Sequence, residues 1–190
     1  MDDTADEIEL SRMLSGALGR VVQAASSLES ELRTVAAALL DTKYAAVVVA
    51  GQPANWLLDT IQAVAKVHDR VSEQSLLELQ GVSTRIKKAL EGRNRLAHGV
   101  WGTDSDGSVV SHTSRYRRIH WEKTPVTLTG LQELASEMLT LTTSLHLWVM
   151  NALPPEASSN EVQLRWEDYL RSLPPEELLA LVQRRLNGTP

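Results

Sequence analysis

The stretch LSGALGRVVQAASSLESELRTVAAAL, residues 14–39, sets the fold class. Leu14, Val21, Leu28 and Val35 recur every seven residues, and Leu18, Ala25, Leu32 and Leu39 form a second column four positions on. At about 3.6 residues per turn these columns lie side by side and make one apolar helical face. A face of that length needs a neighbouring helix along it, so the first 41 residues read as one long helix of a bundle. Gly16 and Gly19 weaken it locally, each by about 1 kcal/mol relative to Ala.

Downstream, Ala45–Ala50 is rich in valine and suits either a strand or a buried helix; helix is the preferred reading. Gly51-Gln-Pro-Ala-Asn55 breaks the chain, because Pro53 cannot continue a helix and Asn55 can cap the next one. A second helix is expected from Trp56 to about His68, with Leu57, Ile61, Val64 and Ala65 on one side. A third starts near Ser72 or Ser75 and runs through Leu76, Leu79, Val82, Ile86 and Leu90 to His98, with Gly99 as its stop.

Residues 99–127 change character. Val100-Trp101 and Val109-Val110 flank the turn-rich Thr103-Asp-Ser-Asp-Gly107, which predicts a hairpin, and Arg115 to Trp121 suits a further strand. Thr127 or Thr129 then caps a long helix with columns Leu131, Met138, Leu145 and Leu134, Leu141, Trp148. Asn151–Asn160 reads as a linker, followed by short amphipathic helices at about 161–171 and 175–186. The expected architecture is all-α: a four-helix-type bundle over 1–153, a small β insertion at about 99–127, and a linker and helical appendage over 154–190.

Composition fits a single domain with an ordinary core: 190 residues, 43% hydrophobic and 23% charged. With no cysteine, disulfide scaffolds, thiol catalysis and cysteine-ligated zinc are excluded. No apolar run approaches the roughly 18 residues of a membrane span, and the acidic N-terminus is unlike a secretory signal. A cytoplasmic protein without membrane attachment is therefore expected. The net charge of −5 argues against indiscriminate nucleic-acid binding, but the charge is unevenly spread. Residues 85–123 hold nine Lys or Arg against four acids, while the rest holds ten against twenty. A basic segment inside an acidic chain suits an anionic ligand or partner.

The densest chemistry lies in Glu91-Gly-Arg-Asn-Arg-Leu-Ala-His-Gly-Val-Trp101. Asn94 and His98 are four apart and share a helical face, whereas Arg93 lies five before His98, about 140° round the helix. The length of the arginine side chain lets cation, amide and imidazole converge at the end of the helix. That set suits a phosphodiester, since Arg binds phosphate, Asn orients and His moves protons. Arg and His also gather in last helical turns simply to complement the terminal carbonyls, so spacing alone does not identify a site.

The wider string Arg93-Asn94-x-Leu96-Ala97-His98-Gly99-x-Trp101, ending a bundle helix, resembles the Arg-polar-x3-His signature of HEPN domains (higher eukaryotes and prokaryotes nucleotide-binding). The resemblance covers residues 5–150, and outside the motif it rests on helix pattern. It implies a helical homodimer that brings two motifs into one cleft, and for many members a metal-independent endoribonuclease acting as a toxin or defence effector. Other members are inactive binding modules. Carried over, Arg93 holds the scissile phosphate, His98 transfers protons and Asn94 supports their geometry, with no cofactor or metal. RNA is the implied substrate, and a cognate antitoxin or protein partner fits the same family.

A second basic cluster is Arg115-Tyr-Arg-Arg-Ile-His-Trp121. Extended, it sends Arg115, Arg117, Ile119 and Trp121 one way and Tyr116, Arg118 and His120 the other. Two readings stand level: an RNA-binding strand combining phosphate contacts and base stacking, or a surface strand whose Trp and Ile pack inward. Arg95 and Lys88 on the motif helix join Arg115, Tyr116, Arg117, Arg118 and His120 as the expected RNA-binding set. His112 belongs near the site only if the hairpin places it there. Arg85 and Lys87-Lys88 read as a solvated face on the motif helix, and also as a guide for RNA. His146, between two leucines, reads as a partner-satisfied core or interface histidine and His68 as a capping cation; Trp56, Trp148 and Trp166 read as packing anchors.

Overall fold

The computed structural model describes residues 3–105, 108–114 and 121–153. The chain is mainly α-helical with one small antiparallel sheet. In order it runs α1 (Asp3–Leu40), α2 (Ala45–Val49), α3 (Ala54–Ala65), α4 (Glu73–His98), β1 (Val100–Thr103), β2 (Val109–Ser114), β3 (Trp121–Pro125) and α5 (Leu128–Ala152).

The columns of α1 form the centre of the core. Val21, Leu28, Leu32 and Val35 are completely buried, each worth about 1.5–3 kcal/mol relative to exposure. The most extensive packing is between α1 and α5, whose Leu131, Met138, Leu141 and Leu145 are buried to the same degree. Helix α3 adds Leu57, Leu58 and Ile61 from another side of α1, and α4 adds Leu79 and Ile86. Asp41 ends α1 in the left-handed region at φ 42, its N–H bonded to the carbonyl of Ala37. Glycine usually takes that position, and aspartate is among the few other residues that tolerate it.

The remaining boundaries follow local chemistry. Ser72 caps α4, its hydroxyl accepting from the Ser75 N–H at 3.1 Å, and Thr127 caps α5 by accepting from Gly130 N–H at 3.0 Å. The valine-rich run is the short helix α2 rather than a strand. Asn55 does not cap α3: Pro53 stands at that position, Asn55 lies inside the helix, and the helix ends at Ala65 instead of His68. The explanation is Pro53 itself, whose fixed φ of −69° already suits a helix start.

The sheet has the order β1-β2-β3. The expected hairpin is present, with Val100 opposite His112 and Thr103 opposite Val109. A third strand is described over Trp121–Pro125, sharing Trp121 with the expected one, and pairs Ser114 with Trp121 through to Val110 with Pro125. Residues 115–120 lie outside the described residues, as do the expected linker and tail helices beyond residue 153. No helix among the described residues is long and apolar enough to cross a membrane.

Candidate functional site

The motif occupies the last two turns of α4. Leu96 faces inward and is buried, as is Leu90 six residues earlier, while Asn94, Ala97 and His98 are exposed. The helix stops at Gly99 as expected, but the reason differs from the usual one. Gly99 has φ −78 and ψ 149, which any residue adopts. What requires glycine is space: a Cβ there would fall 1.8 Å from Ser111 Oγ and 2.6 Å from the carbonyl oxygen of Arg95. Ser111 is fully buried and donates its hydroxyl to that same carbonyl at 3.0 Å. Strand β2 is thereby fastened to the open end of the helix, satisfying one of its orphan carbonyls. Trp101 satisfies a second, donating its indole Nε1–H to the carbonyl of Leu96 at 2.8 Å.

Arg93 is turned toward α1. Its Nη2 donates to Glu29 Oε1, and its Nη1 donates to Asn94 Oδ1 at 2.9 Å. The side chains of Arg93 and Glu29 are 21% and 24% exposed, and Arg33 Nη2 stands 3.8 Å from the second oxygen of Glu29. The Nε of Arg93 is buried with no hydrogen-bond partner among the described residues. The structure thus joins Arg93 to Asn94 as a bonded pair and leaves His98 exposed one turn beyond Asn94. It adds a residue that sequence reading missed. Glu29 lies 64 positions before Arg93, on the flank of the α1 apolar face, and no local signal marks it.

The hairpin register places His112 opposite Val100, two residues past His98, so it does lie beside the motif end. Trp101 lines a groove of about 380 Å³ with Leu10, Ser11, Leu14 and Ser15 of α1 and with Gly102, Thr103 and Val109 of the hairpin.

The basic face of α4 is largely neutralised. Arg85 forms a two-armed pair with Glu137 of α5 at 2.9 and 3.0 Å, which raises its pKa, and Lys87 pairs with Asp59 of α3 at 3.1 Å. Lys88 is exposed and makes no ion pair among the described residues. Arg95 is half-buried beside the sheet anchor. Arg115, Tyr116, Arg117, Arg118 and His120 lie outside the described residues, as does Trp166.

Other histidines and tryptophans sort as follows. His146 Nδ1 meets Glu31 Oε1 at 3.1 Å across the α1–α5 interface, a partnered interface histidine as read from sequence. His68 is not a cap: the helix has ended three residues earlier, and its Nδ1 faces the Arg70 N–H at 3.3 Å. Trp148 is a packing anchor, buried, with Nε1 donating to Ser75 O at 2.8 Å. Trp56 is not, being 38% exposed at the start of α3. Among the described residues no three His, Asp or Glu side chains gather into a metal-ligating group.

No family model, curated protein or solved structure matches the chain.

Proposed function

We propose that this protein is a HEPN-type endoribonuclease, a bundle of four main helices with a hairpin insertion, working as a homodimer whose two motifs form one site. The observation that carries the reading is the bonded Arg93–Asn94 pair at the end of α4, with an exposed His98 one turn further on. Cation, amide and imidazole stand on one helix end, where Asn94 and His98 are exposed.

The dimer supplies what one motif lacks. Cleavage by the ribose 2′-OH forms a bond from O2′ to the adjacent phosphorus and breaks the bond from phosphorus to O5′. One His98 takes the 2′-OH proton while its symmetry mate gives a proton to the departing O5′, leaving a 2′,3′-cyclic phosphate and a 5′-OH. Two Arg93 guanidiniums stabilise the charge that builds on the phosphoryl oxygens. Arg95, Lys88 and the basic segment Arg115–His120 supply contacts to a single-stranded or looped RNA. Toxin or defence activity in the cytoplasm, restrained by an antitoxin or protein partner, is the setting this chemistry suits.

Purified protein is expected to cleave RNA in the presence of EDTA, and His98→Ala to reduce cleavage by about 10²–10⁴-fold without lowering the melting temperature. End-group analysis of the fragments should find cyclic phosphate and 5′-hydroxyl. Cleavage that survives both His98→Ala and Arg93→Ala would place the chemistry elsewhere.

A second reading has its own support. Arg93 is four-fifths buried and already paired with Glu29, as a structural arginine would be. On that reading the chain is an inactive helical module that binds RNA, a nucleotide or a protein. A wild type that binds an RNA panel without cutting it would select this alternative.

A further inference from the structure

We infer that Glu29 of α1 is the positioning residue for the α4 motif, an inference that rests on the nuclease reading above. Four side chains form one connected series. Arg33 Nη2 stands 3.8 Å from Glu29 Oε2, Glu29 Oε1 accepts from Arg93 Nη2, and Arg93 Nη1 donates to Asn94 Oδ1 at 2.9 Å. Each link fixes the next. A guanidinium only donates, so the amide of Asn94 must turn its oxygen to Arg93, which leaves its NH2 group available as a donor. Asn94 is exposed, and that donor sits on the face it shares with His98.

The way Glu29 binds Arg93 distinguishes guidance from blockage. Glu137 closes both arms of Arg85, through Nε and Nη2. Glu29 takes only Nη2 of Arg93 and has its second oxygen near Arg33, while Nη1 is bonded to Asn94; one carboxylate does not close both arms, and each of these two nitrogens carries a second N–H. The charge count agrees: two guanidiniums against one carboxylate leave the cluster positive, as a phosphodiester requires. Without Glu29, Arg93 would be a long side chain with many rotamers beside the site. A misplacement of about 1 Å in a positioning group costs on the order of 10²-fold in rate.

The test compares wild type, Glu29→Ala, Glu29→Gln and His98→Ala on one defined RNA. Glu29→Ala is expected to lower kcat by roughly 10- to 100-fold with KM little changed. Glu29→Gln, which keeps the shape and one acceptor oxygen, should recover part of that loss. If the alanine variant lowers the melting temperature sharply, the glutamine variant decides. A wild-type kcat in a folded Glu29 variant overturns the inference and leaves the nuclease reading intact, and a raised kcat overturns it by making Glu29 a brake. A wild type that cuts nothing, or a His98→Ala that cuts normally, removes the nuclease reading and the positioning role with it.

Discussion

Arg85 and Arg93 sit eight residues apart on α4, and each meets a glutamate from another helix, yet the two meetings differ in kind. Arg85 and Glu137 are 51% and 38% exposed and joined through both arms of the guanidinium. Arg93 and Glu29 are 21% and 24% exposed and joined through one. The first pair is complete in itself and solvated, a geometry that contributes little to stability and offers nothing to a ligand. The second is partly desolvated and costly to break, with Nη2 on Glu29 and Nη1 on Asn94. The pair in the middle of α4 is therefore an ordinary surface pair, and the pair at its end is not.

The largest effect expected from this contrast is catalytic. Arg93→Ala should lower cleavage by at least about 10²-fold, as His98→Ala should, while Arg85→Ala leaves kcat about unchanged. Equal losses from both arginines would erase the distinction. Stability comes next. A double-mutant cycle on Arg93 and Glu29, read by denaturant unfolding, should give a coupling of about 1–3 kcal/mol, against less than about 1 kcal/mol for Arg85 and Glu137. Gly99→Ala tests whether the helix end can shift without touching either pair. Its Cβ collides with Ser111 Oγ and the Arg95 carbonyl, so a loss of about 1–3 kcal/mol is expected. Adding Ser111→Ala should relieve only part of that loss, since the Arg95 carbonyl is backbone.

The smallest effect belongs to a third arginine–glutamate pair, Arg12 with Glu9, at 75% and 54% exposure. Its hydrogen bond to Arg12 holds the Glu9 carboxyl below the ordinary glutamate value. A lowered carboxylate pKa adds stability above the unfolded value, and that contribution disappears as pH falls through the folded one. Melting temperatures of wild type and Glu9→Gln should therefore differ slightly at neutral pH and coincide in acid.

How much of this was legible in the sequence depended on distance along the chain. The α1 and α5 columns were visible because a seven-residue recurrence runs through four positions in α1 and three in α5. The starts of α4 and α5 were legible to within a few residues, as Ser72 or Ser75 and Thr127 or Thr129, because a cap and its partner lie three residues apart. Asn94 and His98 were legible as a shared face for the same reason. Glu29 was hidden because nothing in the neighbourhood of residue 29 refers to residue 93. The same limit applied to Gly99, where the stop was read correctly but its cause, a serine twelve residues on, belongs to tertiary packing. The pairing of residues 121–125 with β2 was hidden for a similar reason, since register with a partner strand is not carried by local β propensity.

The passage from helix to sheet is made by Gly99 alone, with Val100 already in the ladder. Such a joint has no slack. One added residue there would turn every side chain of β1 to the opposite face of the sheet, because strand orientation alternates at each position. Added length is better tolerated at the far side of the hairpin, where Asp104 N–H bonds to Ser108 O at 2.8 Å and no helix end is fastened. Inserted tags or reporters belong there, and none belongs at residue 99.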